Sequence, residues 1–201
     1  MFHGLRKDGR NSMQYCGRYA SPLGEILLAA DELGMIGLWF EGQRYFGCGL
    51  EANRQTRETP VLETARRWLD VYFSGQEPSF SVPLHVQGTE FQQRVWRVLL
   101  TIPYGSTSTY GQIARQMAAE NRGGRVSARA VGHAVGRNPV SLLVPCHRVI
   151  GADGSLTGYA GGVSRKASLL ALEQSGALPP AAEPAGLPAL CTNSVSAEKT
   201  R

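Results

Sequence analysis

The chain has 201 residues, a formal net charge of +5, 42% hydrophobic residues and 18% charged residues. This balance is that of an ordinary globular protein with a buried core, and the small excess of Lys and Arg is compatible with a polyanionic partner without establishing one. No apolar run approaches the ~20 residues of a membrane-spanning helix, and the first residues lack the apolar stretch of a signal peptide. We therefore expect a cytoplasmic protein with no membrane association.

The N-terminal part is predicted to be an α+β domain over residues 13–87, preceded by a flexible arm over residues 1–12. Strand-like segments between Met13 and Phe46 predict an antiparallel meander, with Ser21-Pro22-Leu23-Gly24 as a turn. A loop is predicted over residues 47–59. Pro60 opens a helix in which apolar residues recur every three or four positions, and Gly75 ends it.

The second part, residues 88–176, is predicted to be helical. Thr89-Glu90-Phe91-Gln92 has the form of a capping box. Thr109-Tyr110-Gly111-Gln112 repeats it and starts a short helix through about Ala118, and Ser127 is expected to cap a helix over Ala128 to Val135. Two short helices joined by a glycine-containing segment predict a helix-turn-helix, although the connecting loop is long for that motif. Ser164 is expected to cap a last helix ending at Gly176, and residues 177–201 are predicted to be a disordered tail.

The four cysteines are widely separated and form no Cys-x-x-Cys pair: Cys16, Cys48, Cys146 and Cys191. A disulfide framework is therefore not expected. A zinc site would need Cys16 and Cys48 to converge with His3 and His85, and no ligand spacing supports it, so we predict no metal. Cys16 and Cys48 are interpreted as small buried hydrophobic side chains.

Cys146 lies in the most informative segment, Val144-Pro145-Cys146-His147-Arg148-Val149-Ile150. A thiol becomes a strong nucleophile as the thiolate, which needs nearby positive charge or a proton acceptor. We expect an apolar strand to end at Cys146, with His147 and Arg148 supplying those groups. The alternative of a buried structural thiol is disfavoured by the proline and histidine that flank the sulfur.

Three ordered motifs closely resemble the O6-alkylguanine-DNA alkyltransferases: Asn138-Pro139, the segment 144–150, and Gly158-Tyr159-Ala160-Gly161-Gly162. Tyr110 and the run from Ala128 to Gly132 also fall where that family has them. The resemblance covers about residues 89–176 and, more weakly, the N-terminal meander. It implies an α+β fold with a ribonuclease H-like N-terminal domain and a helical C-terminal domain carrying a winged-helix-like helix-turn-helix.

The resemblance also implies an activity. The family transfers an alkyl group irreversibly from the O6 atom of guanine in duplex DNA to its own cysteine, once per molecule, with no cofactor and no obligate protein partner. Cys146, His147 and Glu173 match its water-bridged network, in which His147 takes the thiol proton and Glu173 stabilises the imidazolium. Asn138 would brace the turn that holds the cysteine. From its position late in a helix alone, Glu173 is better interpreted as a surface charge.

For a base stacked in a duplex, the family must flip the damaged nucleotide out. Arg129 matches the residue that fills the vacated space, and Ala128 and Gly132 are small enough for the helix to enter the minor groove closely. Tyr110 matches a tyrosine that crowds the target phosphate. A solvated charge at Arg129 and a core aromatic at Tyr110 are the alternatives.

The alkylguanine pocket implied by the resemblance has Tyr159 as a wall. The Val149 carbonyl would accept from the guanine amino group and the Ala160 amide would donate to O6, where some members have serine. Gly161 would allow close backbone approach to the base, although it is also an ordinary turn residue.

Two other functions stay open at this stage. A non-reacting sensor of alkylated bases is disfavoured because Cys146 is present. A thiol hydrolase built on Cys146, His147 and Glu173 would need an oxyanion-hole motif, which we do not find. The sequence leaves activity on O4-alkylthymine undecided.

Overall fold

The computed structural model describes residues 12–120 and 124–179. Nearly all of the predicted arm and tail lies outside these ranges. The strands within them are β1 (Tyr15–Ser21), β2 (Gly24–Ala30), β3 (Met35–Phe40), β4 (Gln55–Thr56), β5 (Ser108–Thr109) and β6 (Val149–Ile150). The helices are α1 (Pro60–Phe73), α2 (Glu90–Leu99), α3 (Tyr110–Glu120), α4 (Ala128–Val135) and α5 (Val163–Ser175), with a 3-10 turn at Cys146–Arg148.

The N-terminal domain is a four-stranded sheet in the order β3-β2-β1-β4, covered by α1. The pairs β1–β2 and β2–β3 are antiparallel, as the meander prediction requires. β4 lies in the segment predicted to be a loop and pairs parallel to β1, where the Gln55 amide donates to the Gln14 carbonyl at 2.8 Å. Both residues of β4 are exposed, so no apolar alternation marks it in the sequence.

The C-terminal domain is helical, and α2 lies at its centre. Thr89 caps α2 as predicted: its hydroxyl accepts from the Gln92 amide at 3.2 Å, and the Gln92 side chain accepts from the Thr89 amide at 2.8 Å. Ser127 caps α4 through the Ala130 amide. The indole of Trp96 on α2 donates to the Ala134 carbonyl at 3.0 Å and ties α4 to α2. The helix that carries Arg129 therefore has a fixed position on the core.

Three local predictions are wrong. Ser164 does not cap α5; the cap position is Gly162, which has a φ of 92° and provides no side-chain hydrogen bond. No strand leads into Cys146, because a turn with Leu142 at a φ of 69° brings the chain into the 3-10 turn instead. Cys48 is exposed, whereas Cys16 is buried as predicted.

The two domains are joined by backbone hydrogen bonds next to the cysteine turn. The Leu38 amide of β3 donates to the Pro139 carbonyl at 2.9 Å, and the Ser141 amide donates back to the Leu38 carbonyl at 3.0 Å. The edge of the N-terminal sheet thus holds the segment that precedes Cys146. Within the ranges described, no helix has the length and apolar character needed to cross a membrane.

Replacing Thr89 with Ala should destabilise the protein, because the Gln92 amide at the start of α2 would lose its acceptor. We expect the free energy of unfolding to fall by about 1 kcal/mol, seen as a drop in Tm of about 2–4 °C. Thr89→Ser keeps the hydroxyl and should stay close to the unmodified protein. Equal losses in both variants would show that the cap contributes nothing.

Candidate active site and DNA-binding face

Asn138 fixes the turn that presents Cys146. Its side-chain amide donates to the Cys146 sulfur at 3.1 Å and to the Val144 carbonyl at 2.8 Å, and its carbonyl oxygen accepts from the Val140 amide at 3.0 Å. Asn138 is itself buried. One side chain therefore links the chain before and after the turn and points a donor at the sulfur.

The Cys146 sulfur is nearly covered, since the residue is only 4% exposed. Burial raises the pKa of the thiol to about 11, although the Asn138 hydrogen bond and the positive charge of Lys166 act in the opposite direction. The resting protein therefore holds a neutral thiol at physiological pH, not the thiolate expected from the sequence. A proton acceptor has to act before the sulfur can attack.

Lys166 is a buried cation that the sequence analysis missed. Its ammonium donates to the Val149 carbonyl and, at 2.9 Å, to the Thr157 carbonyl. Burial lowers the pKa of Lys166 to about 8, and a negative charge on Cys146 acts in the opposite direction when the thiolate forms. Lys166 shares the inner face of α5 with Leu169 and Glu173, and that three- and four-residue spacing was the pattern that could have identified it.

Glu173 is buried, so the surface-charge alternative is wrong. Its Oε1 accepts from the Tyr72 hydroxyl at 2.8 Å, from His147 Nε2 at 2.7 Å and from Arg148 at 3.0 Å. Its Oε2 accepts from Arg148 Nε at 2.8 Å and from the Gly105 amide at 3.1 Å. Burial alone would raise the pKa of this carboxyl, but the hydrogen bonds and charges of His147 and Arg148 outweigh it and lower the pKa to about 2.

The hydrogen bonds of Glu173 determine the state of His147. Because Glu173 stays ionised, Nε2 of His147 carries the hydrogen that it donates, and the neutral ring keeps its lone pair on Nδ1. Nδ1 is buried and has no hydrogen-bond partner among the residues described. Burial lowers the pKa of His147 below its usual value, and Glu173 opposes that shift. The ring is therefore a neutral base with one free acceptor atom.

Arg148 does not serve the thiol as the sequence analysis expected. Its guanidinium pairs with Glu173 and donates to the Ile102 carbonyl at 2.7 Å. The cation that lowers the pKa of Cys146 is Lys166. Arg148 instead compensates the buried carboxylate.

The start of α4 forms an exposed surface on the C-terminal domain. Ala128, Arg129 and Ala130 are all exposed, and a shallow depression beside them is lined by Phe91 and His133. The exposure of the Arg129 side chain fits both a contact with DNA and a solvated charge.

Tyr110 and Tyr159 pack where glycines leave room for them. The Tyr110 hydroxyl donates to the Thr157 carbonyl at 2.8 Å, and a Cβ on Gly158, which has a φ of 79°, would lie 2.5 Å from that hydroxyl. A Cβ on Gly161 would lie 2.6 Å from the ring of Tyr159. These two glycines therefore admit the two tyrosine side chains, in addition to any approach by a base.

The other predicted pocket groups have protein contacts of their own. The Val149 carbonyl already accepts from Lys166, which leaves its second lone pair for another donor. The Ala160 carbonyl accepts from the Arg44 amide at 3.0 Å. Gly132 on α4 faces the ring of Tyr110, and a Cβ there would lie at an ordinary contact distance of 3.6 Å.

His85, which the sequence analysis considered for a zinc site, is paired with a carboxylate: its Nδ1 lies 2.5 Å from Asp31 Oδ2. In the part of the chain that the structure describes, no three His, Cys, Asp or Glu side chains converge to hold a metal ion.

Each of the two domains matches a known family model. The family model "6-O-methylguanine DNA methyltransferase, ribonuclease-like domain" matches residues 14–86, and "6-O-methylguanine DNA methyltransferase, DNA binding domain" matches residues 90–175. The chain belongs to the 6-O-methylguanine DNA methyltransferase family. Cys146, His147 and Glu173 all lie within the matched DNA-binding domain.

Relatives from bacteria and archaea share most of the chain. The methylated-DNA–protein-cysteine methyltransferase of Mycobacterium tuberculosis is 48% identical over 77% of this chain and 89% of its own length. That of Methanosarcina acetivorans is 45% identical over 80% of this chain and 99% of its own. The crystal structure of Mycobacterium tuberculosis OGT in complex with DNA has 43% identity and a TM-score of 0.71, and it covers 82% of this chain and 95% of that one.

Replacing Glu173 with Gln should lower the free energy of unfolding at neutral pH. It should also make that free energy less dependent on pH below 4.5. The native pKa of about 2 lies below the ordinary 4.5, so the stability from this carboxylate is complete above pH 4.5 and is lost as the pH falls toward 2. At pH 7 we expect a loss of about 3 kcal/mol, because Arg148 would stay buried without its partner. Urea unfolding between pH 2 and 7 measures both effects.

The control is Glu32→Gln, which removes an exposed carboxylate. It should leave the acid dependence of the unmodified protein in place. A Glu173→Gln variant with an unchanged slope below pH 4.5 would contradict the assignment of that carboxylate as an anion.

Proposed function

We propose that this protein repairs DNA by transferring the alkyl group of O6-alkylguanine in duplex DNA irreversibly to Cys146. The family membership and the curated relatives support the activity. The observation that carries the residue assignment is the placement, on one 3-10 turn, of a buried thiol bonded by Asn138 and of His147, whose Nε2 donates to Glu173.

The proposed reaction balances with these groups alone. The thiol proton passes to Nδ1 of His147, directly or through a water molecule, and Lys166 and the Asn138 amide stabilise the thiolate. The sulfur then attacks the alkyl carbon, a carbon–sulfur bond forms, and the bond to O6 breaks with its electron pair leaving on the guanine. The proton from the thiol ends on the guanine ring, which regains its normal form. No cofactor enters this sequence.

Glu173 stays an anion throughout. With a pKa of about 2 and donors on both oxygens, this carboxylate does not take up the proton. Its role is to hold the Nε2–H form of His147 and to stabilise the imidazolium while it exists. Cys146 and His147 are the catalytic residues in this proposal.

DNA contacts are assigned to the helix-turn-helix formed by α3 and α4, which we interpret as winged-helix-like, with the sheet domain as ribonuclease H-like. Arg129 takes the place of the extruded base, and Ala128 and Gly132 let α4 approach the minor groove. Tyr110 crowds the phosphate of the flipped nucleotide. The exposure of Ala128 and Arg129 at the start of α4 supports this assignment.

The flipped base is assigned to the loop that follows β6. Tyr159 forms one wall, the Val149 carbonyl accepts from the guanine amino group, and the Ala160 amide donates to O6. Gly161 leaves the space that the Tyr159 ring occupies.

The remaining assignments are the domain limits, partners and location. We assign residues 13–87 and 88–176 to the two domains, in line with the family matches at 14–86 and 90–175. Duplex DNA that carries O6-alkylguanine is the only partner we propose. The cytoplasmic location and the absence of an obligate protein partner stay predictions.

Incubation with a duplex that contains O6-methylguanine should add one methyl group to the peptide that contains Cys146. The yield should saturate at one methyl per protein, because no step of the proposed reaction removes the methyl group from the sulfur. Peptide mass spectrometry measures both the site and the stoichiometry, and Cys146→Ser should take up none.

Other outcomes would identify the alternatives. Stable binding to the alkylated duplex with an unmodified thiol would favour a sensor of damaged bases. Repeated turnover on an ester, with loss of activity in Cys146→Ser, would favour a thiol hydrolase.

Replacing Arg129 with Ala should slow transfer from duplex DNA by about 100-fold, because nothing would compensate the few kcal/mol that base extrusion costs. The defect should shrink to within about threefold on a single-stranded oligonucleotide, where no stack has to be opened. Single-turnover rates on the two substrates test this.

Arg125→Ala removes another exposed arginine near α4 and is the matched control. An equal defect of Arg129→Ala on single and double strands would exclude a role in extrusion.

A further inference from the structure

We infer that Tyr72, contributed by the N-terminal domain, is a positioning residue that sets the orientation and basicity of His147 through Glu173. This inference rests on the proposed function for its catalytic meaning, but the geometry itself does not depend on DNA. In the sequence, Tyr72 is one of the apolar residues that recur every three or four positions along α1.

The Tyr72 hydroxyl lies at the junction of the two catalytic-site side chains. It donates to Glu173 Oε1 at 2.8 Å and lies 3.3 Å from His147 Nε2. His147 Nε2 donates to the same oxygen at 2.7 Å. One carboxylate oxygen therefore accepts hydrogen bonds from the Tyr72 hydroxyl and the imidazole, in addition to the one from Arg148.

The ring of Tyr72 cannot easily turn away. The residue is fully buried, and its ring stacks on Trp68 at 5.2 Å and meets the rings of Phe73, Tyr104 and His147 edge-on. Burial, together with the negative charge of Glu173, raises the pKa of Tyr72 well above 10. The hydroxyl stays protonated and acts as a fixed donor.

A fixed donor on Oε1 weakens that oxygen as an acceptor for His147. Without the Tyr72 hydroxyl, Oε1 would hold the Nε2 proton more strongly and favour the imidazolium, so the pKa of His147 would rise. The other charged or titratable groups around the ring are Glu173, Arg148, Lys166, Cys146 and Tyr159. Of these groups, only Glu173 accepts a hydrogen bond from the Tyr72 hydroxyl, so removal of that hydroxyl acts on the imidazole through the carboxylate.

The decisive experiment is an NMR titration of the ring nitrogens of His147 in full-length protein labelled with 15N-histidine. The chain has four histidines, so substitution of each of the other three assigns the signals. In Tyr72→Phe the pKa of His147 should rise by about half a unit or more. An unchanged pKa in this variant would overturn the inference.

Tyr104→Phe is the matched control. Tyr104 lies edge-on to Tyr72 at 6.0 Å, and its hydroxyl is buried with no hydrogen-bond partner among the residues described. Removing it changes the packing nearby without touching Glu173, so the pKa of His147 should not move. An equal shift in both variants would mean that packing, and not the hydroxyl, controls the imidazole.

A second variant keeps the test valid if Tyr72→Phe folds poorly. Site-specific replacement of Tyr72 by 3-fluorotyrosine retains the ring and strengthens the hydroxyl as a donor, so the pKa of His147 should fall. A shift in the opposite direction would contradict the proposed coupling.

The rate of alkyl transfer then connects this coupling to the reaction. As the pH falls, the rate should decline when His147 becomes protonated, and in Tyr72→Phe this decline should begin at a higher pH. A purely structural role would lower the rate or the Tm without moving the decline. An NMR shift in a protein that transfers no alkyl group would support the inference about Tyr72 and refute the proposed function.

Discussion

The structure depends on one buried carboxylate. Glu173 brings together α1 through Tyr72, the loop before β5 through the Gly105 amide, and the cysteine turn through His147 and Arg148. A buried charge is costly unless it is paired and hydrogen-bonded, and here every donor comes from a different part of the chain than α5. Gly105, at a φ of 71°, is what allows its amide to reach the carboxylate. The contacts that join these parts of the fold therefore also hold the ring of His147.

Burial disfavours the charged form of both the Cys146 thiol and the Lys166 ammonium. The pKa of Cys146 is raised to about 11 and that of Lys166 is lowered to about 8. Each group opposes the shift of the other, so formation of the thiolate favours the ammonium. A protein that uses its thiol once benefits from this arrangement, because a neutral, covered sulfur reacts slowly with other electrophiles.

The sequence predicted what short-range patterns determine. The capping box at Thr89, the Ser127 cap and the Cys146-His147 motif all depend on residues within a few positions of each other. It failed where a distant contact decides the outcome. β4 forms because its backbone pairs with β1. Gly162 takes the cap position of α5 in place of Ser164, because the loop after β6 reaches the helix with a positive φ at that glycine. Arg148 turns toward Glu173, which lies 25 positions away.

The same limit explains why Tyr72 and Lys166 were missed. Both lie on the buried faces of helices, where an aromatic ring or a long alkyl chain fits the apolar pattern. Only the tertiary structure shows which groups the hydroxyl of Tyr72 and the ammonium of Lys166 contact.

The N-terminal domain contacts the C-terminal domain at several places besides the bond between Tyr72 and Glu173. Arg165 of α5 donates to the carbonyls of Leu23 and Glu41, and the Arg44 amide donates to Ala160. The N-terminal domain thus holds Ala160 in the loop after β6 and Arg165 at the start of α5, while Tyr72 bonds the carboxylate of Glu173. Loss of packing between the domains would release both at once: the loop would lose its support, and His147 would lose a neighbour that limits its basicity. The domain that does not carry Cys146 is consequently in direct contact with the carboxylate that bonds His147.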